Sequence, residues 1–202
     1  MTDQRNRRTR LRALDDAQAI NTRARLVAAY SAAAAEGVRN VSVRWICASS
    51  GVARSTFYTH FSGVEDLAAF TVTEDFARLA IEDLDVRAAG MSGAAAARGG
   101  LAQVVATFTS RRALVDYSFA QTSRAVVVDR IIDWFAGYTR ETVERAYAGA
   151  DEARIDLVTG FISAGVIRTI IDWLDEPRGV TREGIVDALV DLLPEPLRTE
   201  AE

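Results

Sequence analysis

Lysine is absent from this chain of 202 residues, and cysteine, histidine and proline are scarce at one, one and three. With a single cysteine, Cys47, no internal disulfide can form, which suits a reducing cytosol. One cysteine and one histidine, His60, cannot assemble a Cys/His metal cluster, and any nucleophile–imidazole pair would have to use His60. Dinucleotide and phosphate-loop glycine patterns are missing too, and Gly99-Gly100 has no following signature. Neither an enzyme, a metal nor a cofactor is expected. Few prolines, and no evenly spaced β-branched runs between turns, argue against a sandwich or barrel. The longest apolar stretch, Leu157 to Ile167, ends at Arg168 and falls short of the roughly 20 residues a membrane span needs. Without a secretory signature at the N-terminus, a soluble cytoplasmic chain with no membrane partner is expected.

What is present is helix-forming: long Ala-, Leu- and Arg-rich stretches lose little rotamer freedom in a helix, so the fold class is all-α. Apolar residues make up 49% of the chain, enough to bury a core. The net charge of −4 hides an asymmetry. Residues 1–67 carry ten arginines against six acids, whereas the remainder carries 14 against 22. A basic head on an acidic body is the pattern a nucleic-acid-binding segment produces. Since lysine is absent, every cationic phosphate contact must come from arginine.

Five of those arginines fall in the first twelve residues, and residues 1–18 read as a flexible basic arm that adds phosphate or minor-groove contacts. A first helix is expected from Asn21, as N-cap, to Ala35, with Leu26, Tyr30 and Ala33 on one face and Gly37 as the stop. Ser42 then caps a short helix, VRWICASS, which Gly51 breaks. A third short helix carries Arg54 to His60, and a fourth begins near Gly63 with Glu65 and Asp66 in its first turn, where acids suit the dipole. Two short helices joined at a glycine turn fit a helix-turn-helix. Phe57 and Phe61, four apart, share the inward face, so Arg54, Ser55, Tyr58 and Thr59 project the other way. At the start of such a helix the Arg54 guanidinium can bond guanine O6 and N7 together.

From Thr22 to Phe70 the sequence resembles the N-terminal domain of the tetracycline-repressor (TetR) family. The residues carrying the likeness are Ala28, Ala29, Gly37, Ser42, Val43, Ile46, Ala48, Gly51, Val52, Thr56, Tyr58, His60, Phe61, Glu65 and Leu67, above all the run GVARSTFYTHF. The resemblance implies a ligand-responsive transcriptional regulator, by default a repressor, binding a palindromic operator in double-stranded DNA as a homodimer. It makes residues 19–66 the helix-turn-helix domain and 67–202 a helical ligand-binding and dimerisation domain. Thr56, Tyr58 and His60 match family positions that face phosphates, and Arg44 one used for a base or backbone contact. Ser42 and Ser55 complete the expected DNA-contacting set. One position departs: the family pattern like Ser-Lys-Glu-Glu-Leu reads Gly63-Val64-Glu65-Asp66-Leu67 here, without the cation.

Beyond residue 67, helices are expected over 94–110, 121–148 (broken near Asp129) and 151–175, with a last one in TREGIVDALVDLL. The segment after Asp151 carries two apolar stripes. Ile155, Val158, Ile162, Val166, Ile170 and Trp173 form one, and Leu157, Phe161, Ala164 and Ile171 the other. The resemblance implies that the first, joined by Ile185 and Leu189, meets a second subunit, the alternative being a central core helix in a monomer. Phe108, Tyr117, Phe119, Trp134, Phe135, Tyr138 and Phe161 are the aromatic candidates for a pocket taking a small apolar or aromatic-compatible ligand. The competing reading is a family descendant without DNA binding, acting as a ligand- or protein-binding module.

Overall fold

The computed structural model describes residues 2–74 and 93–199, with side chains from residue 17 onward. Among the described residues all regular structure is helical: α1 Thr2–Glu36, α2 Val43–Ser50, α3 Arg54–His60, α4 Val64–Thr73, α5 Gly93–Ser110, α6 Arg112–Gln121, α7 Arg124–Ala146, α8 Glu152–Asp175 and α9 Arg182–Leu192. A single 3₁₀ turn, Glu195–Leu197, follows.

Two apolar clusters organise the chain. The smaller holds Leu26, Tyr30, Ile46, Phe57 and Phe61 from α1 to α3, closed by Val64, Leu67 and Ala68 of α4. The larger begins one residue on, with Ala69 and Val72 of α4, and takes in the inner faces of α5 to α9. Thus α4 belongs to both cores. Full burial of side chains such as Phe57, Leu67 and Ile131 contributes about 1.5–3 kcal/mol each, the main force holding helices this short in place.

Two helix boundaries differ from expectation. First, α1 starts at Thr2, so Asn21 lies inside a helix and does not cap one, and the backbone of residues 2–18 is helical where a flexible arm was expected. Alanine- and arginine-rich sequence without Pro or Gly gives helix nothing to stop on before Gly37, whose φ of +66° ends it. Second, the expected helix 121–148 is two: α6 closes at Gln121 and α7 opens after Ser123, not near Asp129. In α5, an added Cβ at Gly93 would lie 2.2 Å from the Thr199 carbonyl oxygen; only glycine lets the C-terminal segment dock there.

The residues assigned to the subunit contact turn inward within the protomer. Ile155, Val158, Ile162, Val166 and Ile170 of α8, with Ile185 and Leu189 of α9, are buried inside the protomer. Trp173 is half-buried, its indole N–H donating to the Val180 carbonyl at 2.9 Å. A β-branched stripe and its neighbour are equally apolar in sequence, so periodicity could not say which turns inward. On the outward side, Leu157 and Phe161 are each 70% exposed, with Gly160, Ala164 and Gly165 beside them. By length and composition α8 is also apolar enough to cross a membrane, yet nine of its side chains are packed inside the fold.

Candidate nucleic-acid interface

The reading unit is built from its caps outward. Ser42, in extended conformation, accepts the Trp45 N–H at 3.3 Å and starts α2. Gly51 ends it in the left-handed region at φ +64°, turning the chain into α3 within two residues. A side chain there would strain the backbone and meet the Arg25 guanidinium at 2.8 Å. That guanidinium donates to the Ser50 carbonyl at 2.5 Å, so α1 braces the turn directly. Sequence reasoning passed over Arg25; a cation facing the C-terminal carbonyls of a short helix was the available signal.

Phe57 is fully buried and Phe61 nearly so, 5.9 Å apart between ring centroids, anchoring one side of α3. The other side is open. Arg54, Ser55, Tyr58 and Thr59 are all exposed, and Thr56 and His60 are half-exposed at its margins. Spaced four apart, Arg54 and Tyr58 stack, the guanidinium 5.8 Å from the ring centroid, and the tyrosine hydroxyl raises the arginine's pKa further above its ordinary value. Thr59 is tied down, its hydroxyl donating to the Ser55 carbonyl at 3.3 Å. His60 is held below the usual imidazole pKa by desolvation and then by the nearby Arg23 charge, which favours the neutral ring. Arg44 and Ser42 are exposed on α2 and its cap. The eight expected DNA-contacting residues therefore fall on α2, its cap and α3, and none is buried.

Val64 stands where the family pattern has a lysine, and the structure gives it another task. It is 8% exposed and packs in the head core. The start of α4 is organised instead by Asp66, which accepts from the Ser62 N–H at 2.9 Å and the Ser62 hydroxyl at 3.2 Å.

The head meets the body through α6. The fully buried Tyr30 hydroxyl pairs with Ser118 at 3.0 Å, and burial pushes its pKa up to about 12. Tyr117 donates to the Val38 carbonyl at 2.8 Å, and the Val41 N–H donates to the Gln121 side chain at 3.3 Å. At its other end α6 is tied to the C-terminus of α8: Arg112 donates to the Leu174 carbonyl and, with Arg124, pairs with Asp175.

The aromatic pocket candidates scatter. Phe108 and Phe135 are buried in the body core, and Phe119 lies under the Arg124 guanidinium. Trp134 and Tyr138 stack on α7, with Phe70 of α4 edge-on to Trp134 at 5.1 Å. Tyr117 is engaged with the head, and Phe161 faces out from α8, so it lines no interior pocket. A groove of about 480 Å³ at the α8–α9 junction is lined by other residues, among them Asp172, Trp173 and Asp175.

Residues 26–69 match the family described as bacterial regulatory proteins, tetR family. The matched residues are those of the head, from α1 into α4. Over the whole chain, the fold is similar to RolR in complex with resorcinol, with a TM-score of 0.54, 20% identity, and coverage of 92% of this chain and 97% of that one. A TetR-family transcriptional regulator from Syntrophomonas wolfei, described as putative, superposes at 0.50 with 18% identity over 84% and 91%. The fatty acid degradation regulator FadR from Bacillus halodurans gives 0.49 and 16% over 88% and 97%. At these identities the two likenesses at 0.50 and above show the fold alone. No curated protein sequence matches the chain.

Proposed function

We propose that the chain is a ligand-responsive transcriptional regulator, a repressor by default, that binds a palindromic operator as a cytoplasmic homodimer and catalyses no reaction. The observation that carries this reading is the open face of α3: Arg54, Ser55, Tyr58 and Thr59 project from a helix locked behind by Phe57 and Phe61. Arg54 reads guanine, while Ser42, Arg44, Thr56, Tyr58 and His60 position the head on phosphates.

The second copy packs on the outward side of α8. Leu157 and Phe161 are large apolar side chains left in water, and the small residues between them allow close helix approach. A two-fold pair would set the α3 helices about 34–36 Å apart, in successive major grooves. A small aromatic-compatible ligand, of the kind RolR holds in its complex with resorcinol, would act inside the body. Binding there favours one α6 position over another, and the head follows through Tyr30, Tyr117 and Gln121. Its effect is bounded by its differential affinity for the two states.

Selection from a random duplex library, with Arg54→Ala alongside, tests the reading. The expected result is a palindromic site that the substitution loses or relaxes. A folded dimer that enriches no sequence would overturn DNA reading and leave a ligand- or protein-binding module.

A further inference from the structure

Among the described residues five polar side chains are buried, Thr71, Thr73, Ser118, Thr159 and Ser163. Four of them have partners. Thr71 and Thr73 of α4 donate to the carbonyls four residues back, at 2.7 and 2.9 Å, the ordinary bond of a helical threonine. Ser118 holds Tyr30 and the Leu114 carbonyl. Ser163 of α8 meets Thr139 of α7 at 3.2 Å, and since the Thr139 hydroxyl donates to the Phe135 carbonyl, Ser163 is the donor. Thr159, one turn before Ser163, is the exception. It is 5% exposed, and its hydroxyl neither takes the Ile155 carbonyl nor reaches any other partner. A buried hydroxyl left in this way destabilises the fold that holds it, whereas valine would give the helix the same branched shape without that cost.

The surroundings limit what can pair with it. Ile155 and Ser163, four residues to either side, are both buried, so Thr159 lies on the inward face of α8. Ile155 belongs to the body core, where Phe108 and Phe135 supply aromatic surface. No charged side chain is buried among the described residues, so a carboxylate or ammonium brought there would meet no counter-charge. A threonine hydroxyl offers one donor and two acceptor positions, which suits a hydroxyl or a carbonyl equally. We infer that Thr159 is the polar anchor of a ligand site inside the body, and that its ligand is a neutral, largely aromatic molecule whose hydroxyl or carbonyl bonds Thr159. This inference rests on the ligand-responsive reading proposed above and adds to it the anchoring residue and the exclusion of charged ligands.

The test titrates the full chain with phenol, toluene and benzoate by ligand-observed NMR near pH 7. The three probes are similar in size and carry a hydroxyl, no polar group and a charge. Parent, Thr159→Val and Thr159→Ser are compared, with the Tm of each free protein. Thr159→Val is expected to weaken phenol about five-fold or more, the strength of one hydrogen bond, and to leave toluene within about two-fold. It should also raise the Tm by about 2–4 °C, because the unpaired hydroxyl is gone. Thr159→Ser keeps the hydroxyl and should keep the parent's ratio of phenol to toluene affinity, with benzoate the weakest probe throughout. Phenol binding that Thr159→Val leaves unchanged would overturn the inference while leaving a ligand site in the body intact. A lower Tm for Thr159→Val would show the hydroxyl to be satisfied within the fold and likewise overturn it. Benzoate bound as tightly as phenol would overturn the neutral class. A parent that binds none of the three at millimolar concentration would overturn both the anchor and the small aromatic-compatible ligand on which it rests.

Discussion

The hydroxyl of Tyr30 on α1 meets Ser118 on α6 at 3.0 Å, both side chains fully buried, and joins the head to the body. The Ser118 hydroxyl donates its own hydrogen bond to the Leu114 carbonyl at 2.8 Å, so the phenol must donate and stay neutral. Burial raises its pKa from 10 to about 12. An acid whose folded pKa lies above its unfolded value contributes stability that is complete below pH 10 and lost as pH rises through 12. With two pKa units at about 1.4 kcal/mol each, roughly 2–3 kcal/mol should disappear across that window.

Tyr30→Phe is expected to flatten this alkaline loss while costing about 0.5–1.5 kcal/mol near pH 7, because Ser118 keeps one partner. Denaturant titrations at pH 8, 10 and 12 check both. An unchanged pH profile in the variant would show that other groups, such as Tyr117 and Tyr138, whose pKa values burial also raises, govern alkaline unfolding.

Gly51 is a second point where one atom matters. Its φ of +64° disfavours any side chain, and an added Cβ would come within 2.8 Å of the Arg25 guanidinium, which would have to move. Gly51→Ala should destabilise the head by about 1–2 kcal/mol from left-handed strain alone. It should also release Arg25 from the Ser50 carbonyl, misplacing α3. The expected outcome is a lower Tm together with a loss of DNA affinity larger than the Tm change explains. Intact affinity would mean that the turn tolerates the adjustment without moving Arg54.

Much of this was legible in the sequence where local chemistry decides. Ser42 as N-cap, Gly51 as terminator and the inward pair Phe57 and Phe61 follow from rules that act within one turn, and the structure places each as those rules require. Choices needing long-range information went differently. Ile155 and Phe161 are both apolar residues on α8, and only the position of α7 decides that the first is buried and the second bare. Val64 reads as a lost cation, yet in three dimensions it is a core residue shared with Leu67. The bracing of the turn by Arg25 spans 25 residues and leaves no periodic trace.

The outward side of α8 predicts a dimer that charge can split. Leu157 and Phe161 are 70% exposed in the protomer, so Phe161→Glu should leave the fold within about 0.5 kcal/mol of the parent, as exposed substitutions do. In a dimer the same glutamates would be taken out of water into an apolar contact, and sedimentation should show monomers at concentrations where the parent is dimeric. DNA affinity should fall with dimerisation, since each half-site would then be bound alone. A parent already monomeric at tens of micromolar, or a variant that stays dimeric, would place the interface elsewhere.

Restoring a cation at the start of α4 asks whether that helix end lies against DNA. Val64→Lys removes a branched side chain from the head core but supplies a four-carbon stem that can cover the same surface while its ammonium reaches water. The packing loss should cost about 1 kcal/mol, a drop of roughly 2–4 °C in Tm for a chain of this size. If the backbone N–H groups at the start of α4 face a phosphate, the new charge should add about 0.9 per protomer to the salt slope and raise affinity several-fold at low salt. Affinity and stability would then move in opposite directions, which a simple packing defect cannot produce. A fall in both, with the slope unchanged, would show that α4 stands off the duplex and that the arginines of α1, α2 and α3 carry the phosphate contacts alone.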